Sequence, residues 1–329
     1  MKYAYYPGCS LERNASAYHV SAMAVSKPFG VELEELDDWN CCGAVEYIAI
    51  NRPAAYALVA RNLALAAGHP LNGSGKEKNL VAPCSACFLN LSKAETYMRR
   101  DQKFAAEINA ALNAGGLSYT PGNLTVRHLL DIFVNDVGYE AIAEKVVRPL
   151  NNLRVAPYYG CLVVRPAFQG VFDDHEYPTT LDRLMEALGA KVVDFPLKAH
   201  CCGGHMTQIS EPVALEMIRR LLKNANDYEA DIIVTLCPMC QLNLDAYQES
   251  VNKYFGTDYH IPVLYFTQMI GLAIGLSAQE LEIGKEFVDA RPALSKNGVH
   301  VPEPEEPRKK KKPAKEALPM PRMPKEGTR

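Results

Sequence analysis

Ten cysteines fall into two sets of five with nearly the same spacing. In each set a single cysteine is followed by two adjacent cysteines and then by a pair separated by two residues. The first sulfur set is Cys9, Cys41, Cys42, Cys84 and Cys87; the second sulfur set is Cys161, Cys201, Cys202, Cys237 and Cys240. Clustered thiolates bind metals or carry out redox chemistry. The repeat therefore predicts two equivalent thiolate sites in a duplicated chain.

Other residues keep the register of this repeat. The segment "NCCGA" corresponds to "HCCGG", and "CSACFLNL" corresponds to "CPMCQLNL". The single residues that recur at equivalent positions are Gly8 and Gly160, Arg13 and Arg165, Gly43 and Gly203, and Asn90 and Asn243. Chance does not produce such agreement, so we interpret the chain as two copies of one domain.

Five thiolates fit an iron–sulfur cluster better than a zinc ion. A structural zinc site takes four ligands, which leaves one cysteine over in each set. The adjacent Cys41 and Cys42 chelate one small ion poorly, but they can reach two different irons of one cluster. A structural zinc module remains an alternative.

Glycines and arginines beside the cysteines are candidate cofactor-binding residues. Gly43 and Gly203 would let the backbone approach a cluster closely and would donate an amide to sulfur. Arg13 and Arg165 would offset its negative charge, although ordinary ion pairs explain them equally well. Asn90 and Asn243 are better explained as helix-start or packing residues than as ligands.

Two histidines flank the second double cysteine, in "HCCGGH". His200 and His205 are weak catalytic candidates because a histidine beside a redox centre can donate a proton. The first copy has Asn40 and Val45 at these positions. A structural role for the histidines is therefore favoured.

Alternating strand and helix patterns must position these residues. "KYAYYPG", "VELEEL" and "NLVAP" predict strands in the first half, with "RVAPYYG", "KVVDFP" and "DIIVTL" as their counterparts. We expect the second strand to run on to Cys41, a helix over 15–27, a helix break at Pro53, a helix capped by Thr179, and a helix starting at each CxxC. Every cysteine group follows a strand, so the sulfurs should meet at the carboxyl edge of a parallel sheet in each half.

Composition restricts the class of protein. The chain of 329 residues is 48% apolar and 22% charged, which is typical of a globular protein with a real core. The N-terminus lacks the pattern of a signal peptide, which predicts a reducing, cytoplasmic location. The apolar run 261–276 is too short for a transmembrane segment and predicts a core helix, with a membrane-surface helix as the minor alternative.

Charge is distributed unevenly along the chain. The formal net charge is −3, but the segment 301–329 carries nine Lys/Arg against five Asp/Glu. The remainder is therefore acidic, with a net charge of −7. An acidic body argues against nucleic acid as the main partner.

The paired C…CCG…CxxC pattern, the opening "YYPGC" and the phrase "DDWNCCGA" resemble the B subunit of heterodisulfide reductase and its bacterial relatives, the cysteine-rich CCG-domain family. The resemblance covers about residues 1–280. It implies an α/β fold with two tandem, pseudo-symmetric CCG domains, each a small and mostly parallel sheet flanked by helices. The expected domains are 1–148 and 149–290, followed by an extended basic, proline-rich tail over 291–329.

The resemblance also implies the cofactors and partners. Each half would hold a non-cubane [4Fe–4S] cluster ligated by all five cysteines of its set, and a disulfide would be cleaved between the two clusters. Electrons would arrive through an iron–sulfur protein like the C subunit of heterodisulfide reductase, from a flavoprotein like its A subunit. The substrate would be a disulfide or a sulfur-carrier protein, in sulfur metabolism.

An alternative within the same family is an electron-transfer subunit of an unusual succinate dehydrogenase or glycolate oxidase. The opening segment "MKYAYYPGCSLERNASAYHVSAMAV" favours the bacterial sulfur-oxidising type. Two features depart from the family pattern: the tail is not part of its core, and "HCCGGH" lacks the small residues expected after the second pair. The latter indicates a changed substrate.

Overall fold

The computed structural model describes residues 1–44, 47–72, 78–165 and 173–303. Among these residues, no helix is both long and apolar enough to cross a membrane. Most of the predicted tail, residues 304–329, lies outside the described part of the chain. Its predicted first residues are not an extended tail, because Arg291–Ser295 forms a helix and Leu294 and Val301 are buried in the core.

The first half is a sheet of four parallel strands in the order β2-β1-β3-β4. Tyr5 of β1 stands opposite Glu35 of β2 and Val81 of β3. The elements are β1 (Lys2–Tyr5), α1 (Ser16–Ser26), β2 (Glu32–Glu35), α2 (Tyr47–Ile50), α3 (Arg52–Gly68), β3 (Asn79–Ala82), α4 (Ser85–Arg100), α5 (Gln102–Ala114), β4 (Thr125–His128), α6 (Leu129–Asp131) and α7 (Tyr139–Glu144), with 3₁₀ turns at Lys27–Phe29 and Pro70–Asn72 and a π-helical segment at Ile132–Gly138.

The second half repeats this arrangement, with parallel strands in the order β6-β5-β7-β8. Val155 of β5 stands opposite Val192 of β6 and Ile232 of β7. The elements are β5 (Arg154–Tyr158), α8 (Thr180–Ala187), β6 (Lys191–Val192), α9 (Met206–Ile209), α10 (Glu211–Asp227), β7 (Ile232–Thr235), α11 (Pro238–Ala246), α12 (Gln248–Phe255), β8 (Val263–Tyr265), α13 (Phe266–Ala273) and α14 (Arg291–Ser295).

Two clusters of buried apolar side chains each include residues of both halves. Val81 of the first sheet and Val155 and Leu264 of the second belong to the same cluster of buried side chains. Helix α1 of the first half packs against α13 of the second half. The relative placement of the two sheets is therefore fixed by apolar burial, which contributes roughly 25 cal/mol per Å² of apolar surface.

The predicted fold class is confirmed: the chain has two repeats, each a parallel sheet flanked by helices. The predicted helix is indeed interrupted, but at Asn51: α2 ends at Ile50, α3 begins at Arg52, and Pro53 lies in the first turn of α3. The domain limits at 148 and 149 stay predictions, and both fall in the connection between α7 and β5.

Three local predictions need correction. The second strand ends at Glu35 and does not reach Cys41. The run 261–276 is not one helix, because its first part pairs with β7 as strand β8. Thr179 does precede α8, but its side chain makes no capping hydrogen bond. The carboxylate of Asp173 accepts from the Thr179 and Thr180 amides instead, at 2.9 and 2.6 Å.

Candidate functional site

The sulfurs of each half gather at the carboxyl edge of the sheet. Cys9 follows β1, the double cysteine follows β2, and Cys84 follows β3, which are three neighbouring strands. The strand order reverses at β1, and ligands of open α/β sheets bind at such a switch point. The second sulfur set follows β5, β6 and β7 in the same way.

Short contacts link the sulfurs within each set. In the first half, Cys9 Sγ lies 3.6 Å from Cys41 Sγ, and Cys42 Sγ donates to Cys87 Sγ at 3.4 Å. Cys84 and Cys87 are also close enough for each to shift the pKa of the other. The corresponding pairs of the second half are Cys161 with Cys201, Cys202 with Cys240, and Cys237 with Cys240. All five cysteines of a set are thus brought to one place.

The two sulfur sets approach each other at the boundary between the halves. The residues next to Cys84 and Cys237 are in contact across the boundary between the halves, since Ser85 Oγ donates to the Leu236 carbonyl at 3.5 Å, and each of these two buried thiols shifts the pKa of the other. Cys9 and Cys41, by contrast, are exposed, and Cys161 and Cys201 are partly buried. Each set therefore extends from the interface between the halves towards solvent.

The first cysteine of each double pair has its pKa lowered by the same kind of donor. Hydrogen bonds from Cys42 and then Cys9 lower the pKa of Cys41, and the Gly43 amide adds to this. In the second half, a hydrogen bond from Cys161 lowers the pKa of Cys201 to about 6, with a further contribution from the Gly203 amide. Both halves thus favour a thiolate at the same position, and a thiolate is the form that binds metal.

Gly8 and Gly160 leave room for the last sulfur of each set. A Cβ at Gly8 would lie 2.9 Å from Cys87 Sγ, and a Cβ at Gly160 would lie 2.9 Å from Cys240 Sγ. Both glycines have positive φ, +76° and +68°, which side chains rarely adopt. Any residue other than glycine would displace a sulfur of the site.

Gly43 and Gly203 act through their amides. They donate to Cys41 Sγ at 3.5 Å and to Cys201 Sγ at 3.4 Å, and their φ angles are +63° and +95°. Such amide–sulfur bonds tune the potential of an iron–sulfur centre. Their role in binding a cofactor stays a prediction.

Matching side chains hold the loop of each double cysteine. The hydroxyl of Tyr6 donates to the Asn40 carbonyl at 2.8 Å, and that of Tyr158 donates to the His200 carbonyl at 2.7 Å. From the other side, the amide groups of two buried asparagines donate to the second cysteine of each pair. These bonds run from Asn90 to the Cys42 carbonyl at 3.2 Å and from Asn243 to the Cys202 carbonyl at 3.1 Å.

A stacked tyrosine pair lies where the two sulfur sets meet. The rings of Tyr18 and Tyr265 are 4.3 Å apart and nearly parallel, at 7°. The Tyr18 hydroxyl donates to the Pro83 carbonyl at 2.9 Å and lies 3.4 Å from the Leu236 carbonyl, so it bridges the residues before both CxxC pairs. This bridge fixes the two sets relative to each other.

A cavity lies beside each sulfur set, and the side chains that line the two cavities differ sharply in charge. The first cavity, of about 530 Å³, is lined by Cys9 and Cys41 and by Glu12, Glu35, Leu36, Asp37, Asp38, Trp39 and Asn40. The second cavity, of about 730 Å³, is lined by Cys161 and Cys201 and by Arg165, Leu197, His200, Met217, Arg220, Leu221, Lys223, Asn224 and Asp227.

The remaining candidate residues are placed unequally around these cavities. Arg165 and His200 line the second cavity. Arg13 is exposed and is not among the described residues that line the first cavity. His205 is partly buried and precedes the single turn of α9. A catalytic role for either histidine stays a prediction.

The donor set fits an iron–sulfur cluster in each half. Helices α4 and α11 begin directly after Cys84 and Cys237, as predicted, so their positive ends point at the sulfurs. Among the described residues, no three or more His, Cys, Asp or Glu side chains are arranged to hold a single metal ion. Five thiolates in each set exceed the four ligands of a structural zinc ion, which favours a cluster.

Comparison with known proteins identifies the family. The family described as "CCG: Cysteine-rich domain" matches residues 3–92 and 155–245, and each match contains one complete sulfur set. The chain belongs to the CCG cysteine-rich domain family.

The relatives of this CCG protein fall into two groups. The membrane anchor subunit of 8-methylmenaquinol:fumarate reductase from Wolinella succinogenes is 36% identical over 88% of the chain and 98% of that protein. The B subunit of ferredoxin:CoB-CoM heterodisulfide reductase from Methanosarcina mazei is 32% identical over 80% of the chain and 85% of that protein. The B subunit of the ferredoxin/F420H2-dependent enzyme from Methanosarcina acetivorans is 30% identical over 90% and 96%.

A solved structure has the same fold. A hypothetical protein from Helicobacter pylori superposes with a TM-score of 0.68 at 15% sequence identity, over 88% of this chain and 52% of that one. The CCG chain thus spans about half the length of that protein. The likeness shows the fold alone.

Several residues of the site were not assigned a role from the sequence. Tyr6 and Tyr158 hold the double-cysteine loops, and Tyr18 bridges the CxxC pairs. The repeat register could have found the first two, since both precede a Gly-Cys step at the same distance. Tyr18 leaves no such signal, because its position matters only once the halves are packed together.

Proposed function

We propose that this CCG protein is the iron–sulfur redox subunit of a heterodisulfide reductase-like complex. It would act on a disulfide or on protein-bound sulfur at two non-cubane [4Fe–4S] clusters, one on each sulfur set. The observation that carries the proposal is the approach of two complete five-sulfur sets beside Cys84 and Cys237, where the Tyr18 hydroxyl and Ser85 Oγ link the two CxxC segments. A role in sulfur metabolism and a cytoplasmic location are parts of the same proposal.

The chemistry needs two electrons and two protons for each disulfide, which yields two thiols. The clusters, when bound, supply electrons one at a time. The chain itself would fix their relative positions, through the Tyr18 bridge and the α1–α13 packing. The amides of Gly43 and Gly203 would tune both sites through their sulfur bonds.

The proposed partners are an iron–sulfur protein of the heterodisulfide reductase C type and a flavoprotein of its A type. Electron delivery requires that a partner approach a sulfur set, and Cys9 and Cys41 are exposed. The heterodisulfide reductase B proteins and the B-like protein among the relatives support such an assembly.

A second candidate function is electron transfer without a sulfur substrate. It is favoured by the 36% identity to the membrane anchor of 8-methylmenaquinol:fumarate reductase. In that case the two clusters would relay electrons between partner proteins, and no disulfide would react.

Anaerobic purification tests the proposal. We expect a brown protein with about eight irons and eight inorganic sulfides for each chain, because each of two clusters holds four. A colourless protein that contains zinc would contradict the cluster assignment. The reduced protein is then mixed with a disulfide under anaerobic conditions. Oxidation of the clusters with release of thiol supports the sulfur redox function, and unchanged clusters support the electron-transfer function.

A further inference from the structure

A buried lysine lies in the turn that leads from β6 to the second double cysteine. The side chain of Lys198 is only 1% exposed. Its Nζ donates to Asp182 Oδ1 of α8 at 2.8 Å and lies 4.0 Å from the ring centroid of Tyr177. Lysine is almost never buried unless it is paired, so the contact with Asp182 is what allows this side chain to lie in the interior.

The carboxylate of Asp182 also binds Tyr159, a residue two positions before Cys161. The Tyr159 hydroxyl donates to Asp182 Oδ2 at 2.6 Å. The same hydroxyl accepts from the backbone amides of Leu181 and Asp182, at 2.6 and 3.2 Å, in the first turn of α8. The three polar side chains of this network therefore all have buried partners, and a buried network whose members are paired is rigid.

The backbone of Lys198 links the two loops that carry Cys161 and Cys201. Its carbonyl accepts from the amides of Tyr159 and Gly160, at 2.9 and 3.1 Å. Gly160 directly precedes Cys161, and Lys198 lies three residues before Cys201. One residue thus joins the two cysteine loops through its carbonyl and ties them to α8 through its side chain.

The equivalent positions of the first half carry residues of a different kind. Pro7 corresponds to Tyr159 and has no amide hydrogen to donate. Asp38 corresponds to Lys198, but it is exposed, and its carboxylate is paired with Arg61 of α3. A requirement common to both sulfur sets therefore does not explain the network around Lys198.

Stability alone does not explain a buried ion pair either. Taking two charges out of water costs free energy, and well-packed apolar side chains of similar size are often at least as stabilising. A buried pair instead favours one defined arrangement, because few geometries satisfy both charged groups. Here the arrangement that it favours includes the loops of Cys161 and Cys201.

We propose that Lys198 is a positioning residue that holds Cys161 and Cys201 at a fixed spacing in the second sulfur set. The reduction potential of the cluster in this half then depends on the pair of Lys198 with Asp182, because the surroundings of the ligands tune such a potential. The inference rests on the two clusters of the proposed function and goes beyond it. It assigns the two clusters different potentials, although each has five cysteine ligands.

A neutral double variant of the anaerobically purified holoprotein tests the inference. Lys198→Met with Asp182→Asn removes both charges, changes side-chain size little and leaves an oxygen that accepts from Tyr159. We expect the iron content and the denaturant midpoint to stay near those of the wild type. The electron paramagnetic resonance signal and the midpoint potential of the second cluster should both shift, whereas a merely structural pair would leave them unchanged. The signal of the second cluster is the one that remains in Cys42→Ala.

The matched control is the double variant Lys2→Met with Glu32→Gln. It removes an exposed ion pair of 2.7 Å at the end of the first sheet that lies opposite the sulfurs, and it should leave both cluster signals unchanged. A second-cluster signal and potential that match the wild type in the Lys198 and Asp182 double variant would overturn the inference. Loss of both clusters together with stability would also overturn it, because the pair would then only support the fold. Selective loss of the second cluster would support it.

Tyr159→Phe decides the outcome if the double variant does not fold. This change removes one hydroxyl from the network and keeps both charges. It should shift the signal of the second cluster and leave that of the first in place; an unshifted second signal would overturn the inference while the proposed function stands. A wild-type protein without iron would overturn the proposed function, and the inference with it.

Discussion

Replacing Gly8 by alanine tests whether the backbone is shaped around the sulfurs. The new Cβ would lie 2.9 Å from Cys87 Sγ, closer than carbon and sulfur tolerate, at a φ of +76°. The positive φ costs an alanine about 1 kcal/mol. Displacing a packed side chain adds about 2 kcal/mol. Moving Cys87 should also impair cluster binding in the first half, because one of its five ligands shifts.

The control variant Gly30→Ala separates the cost of a positive φ from the cost of a contact with a sulfur atom. Gly30 has a similar φ of +65°, and a Cβ there would meet nothing within 4 Å. Gly30→Ala should therefore lose only about 1 kcal/mol of unfolding free energy and keep all its iron. Gly8→Ala should lose about 3 kcal/mol and roughly half its iron, measured by denaturant unfolding and metal analysis under anaerobic conditions. The reasoning is refuted if the two variants have the same stability and the same iron content.

Two further predictions concern the hydrogen bonds that hold the sulfur loops. Tyr18→Phe removes the hydroxyl that bridges the Pro83 and Leu236 carbonyls and should lower the unfolding free energy by about 2 kcal/mol; a loss below about 0.5 kcal/mol would show that the bridge is not needed. Asn90→Ala leaves the buried Cys42 carbonyl without its side-chain donor and should cost about 1–3 kcal/mol while broadening the electron paramagnetic resonance signal of the first half; an unchanged spectrum would contradict this positioning role.

The sequence predicted the sulfur sets because their geometry is mostly local to each repeat. A cysteine that follows a parallel strand reaches the carboxyl edge whatever the rest of the chain does. The spacing of Cys84 and Cys87 also predicted a helix that begins there, and α4 does begin at Ser85. Strand order and spacing together were sufficient for this part of the site.

The approach of Cys84 to Cys237 was not predictable in the same way. It depends on how α1 packs against α13, and packing between distant segments leaves no short-range pattern in a sequence. The resemblance to the heterodisulfide reductase B proteins implied that a disulfide is cleaved between the two clusters. Only the structure shows which segments make the contact.

Equal spacing did not guarantee equal surroundings. Arg13 and Arg165 each follow a cysteine by four residues, yet only Arg165 lines a cavity with its sulfur set among the described residues. The prediction of a single helix over 261–276 was wrong for another reason. A short, continuous apolar run suits a buried strand as well as a helix, and here it is a strand followed by a helix.

Iron analysis of two single-cysteine variants tests the central claim most directly. Cys42→Ala and Cys202→Ala remove equivalent ligands from the two sulfur sets. Each purified holoprotein should keep about half of the wild-type iron and one of two distinguishable cluster signals, and the lost signal should differ between the variants. Full iron content with both signals in either variant would contradict two clusters held by five cysteines each.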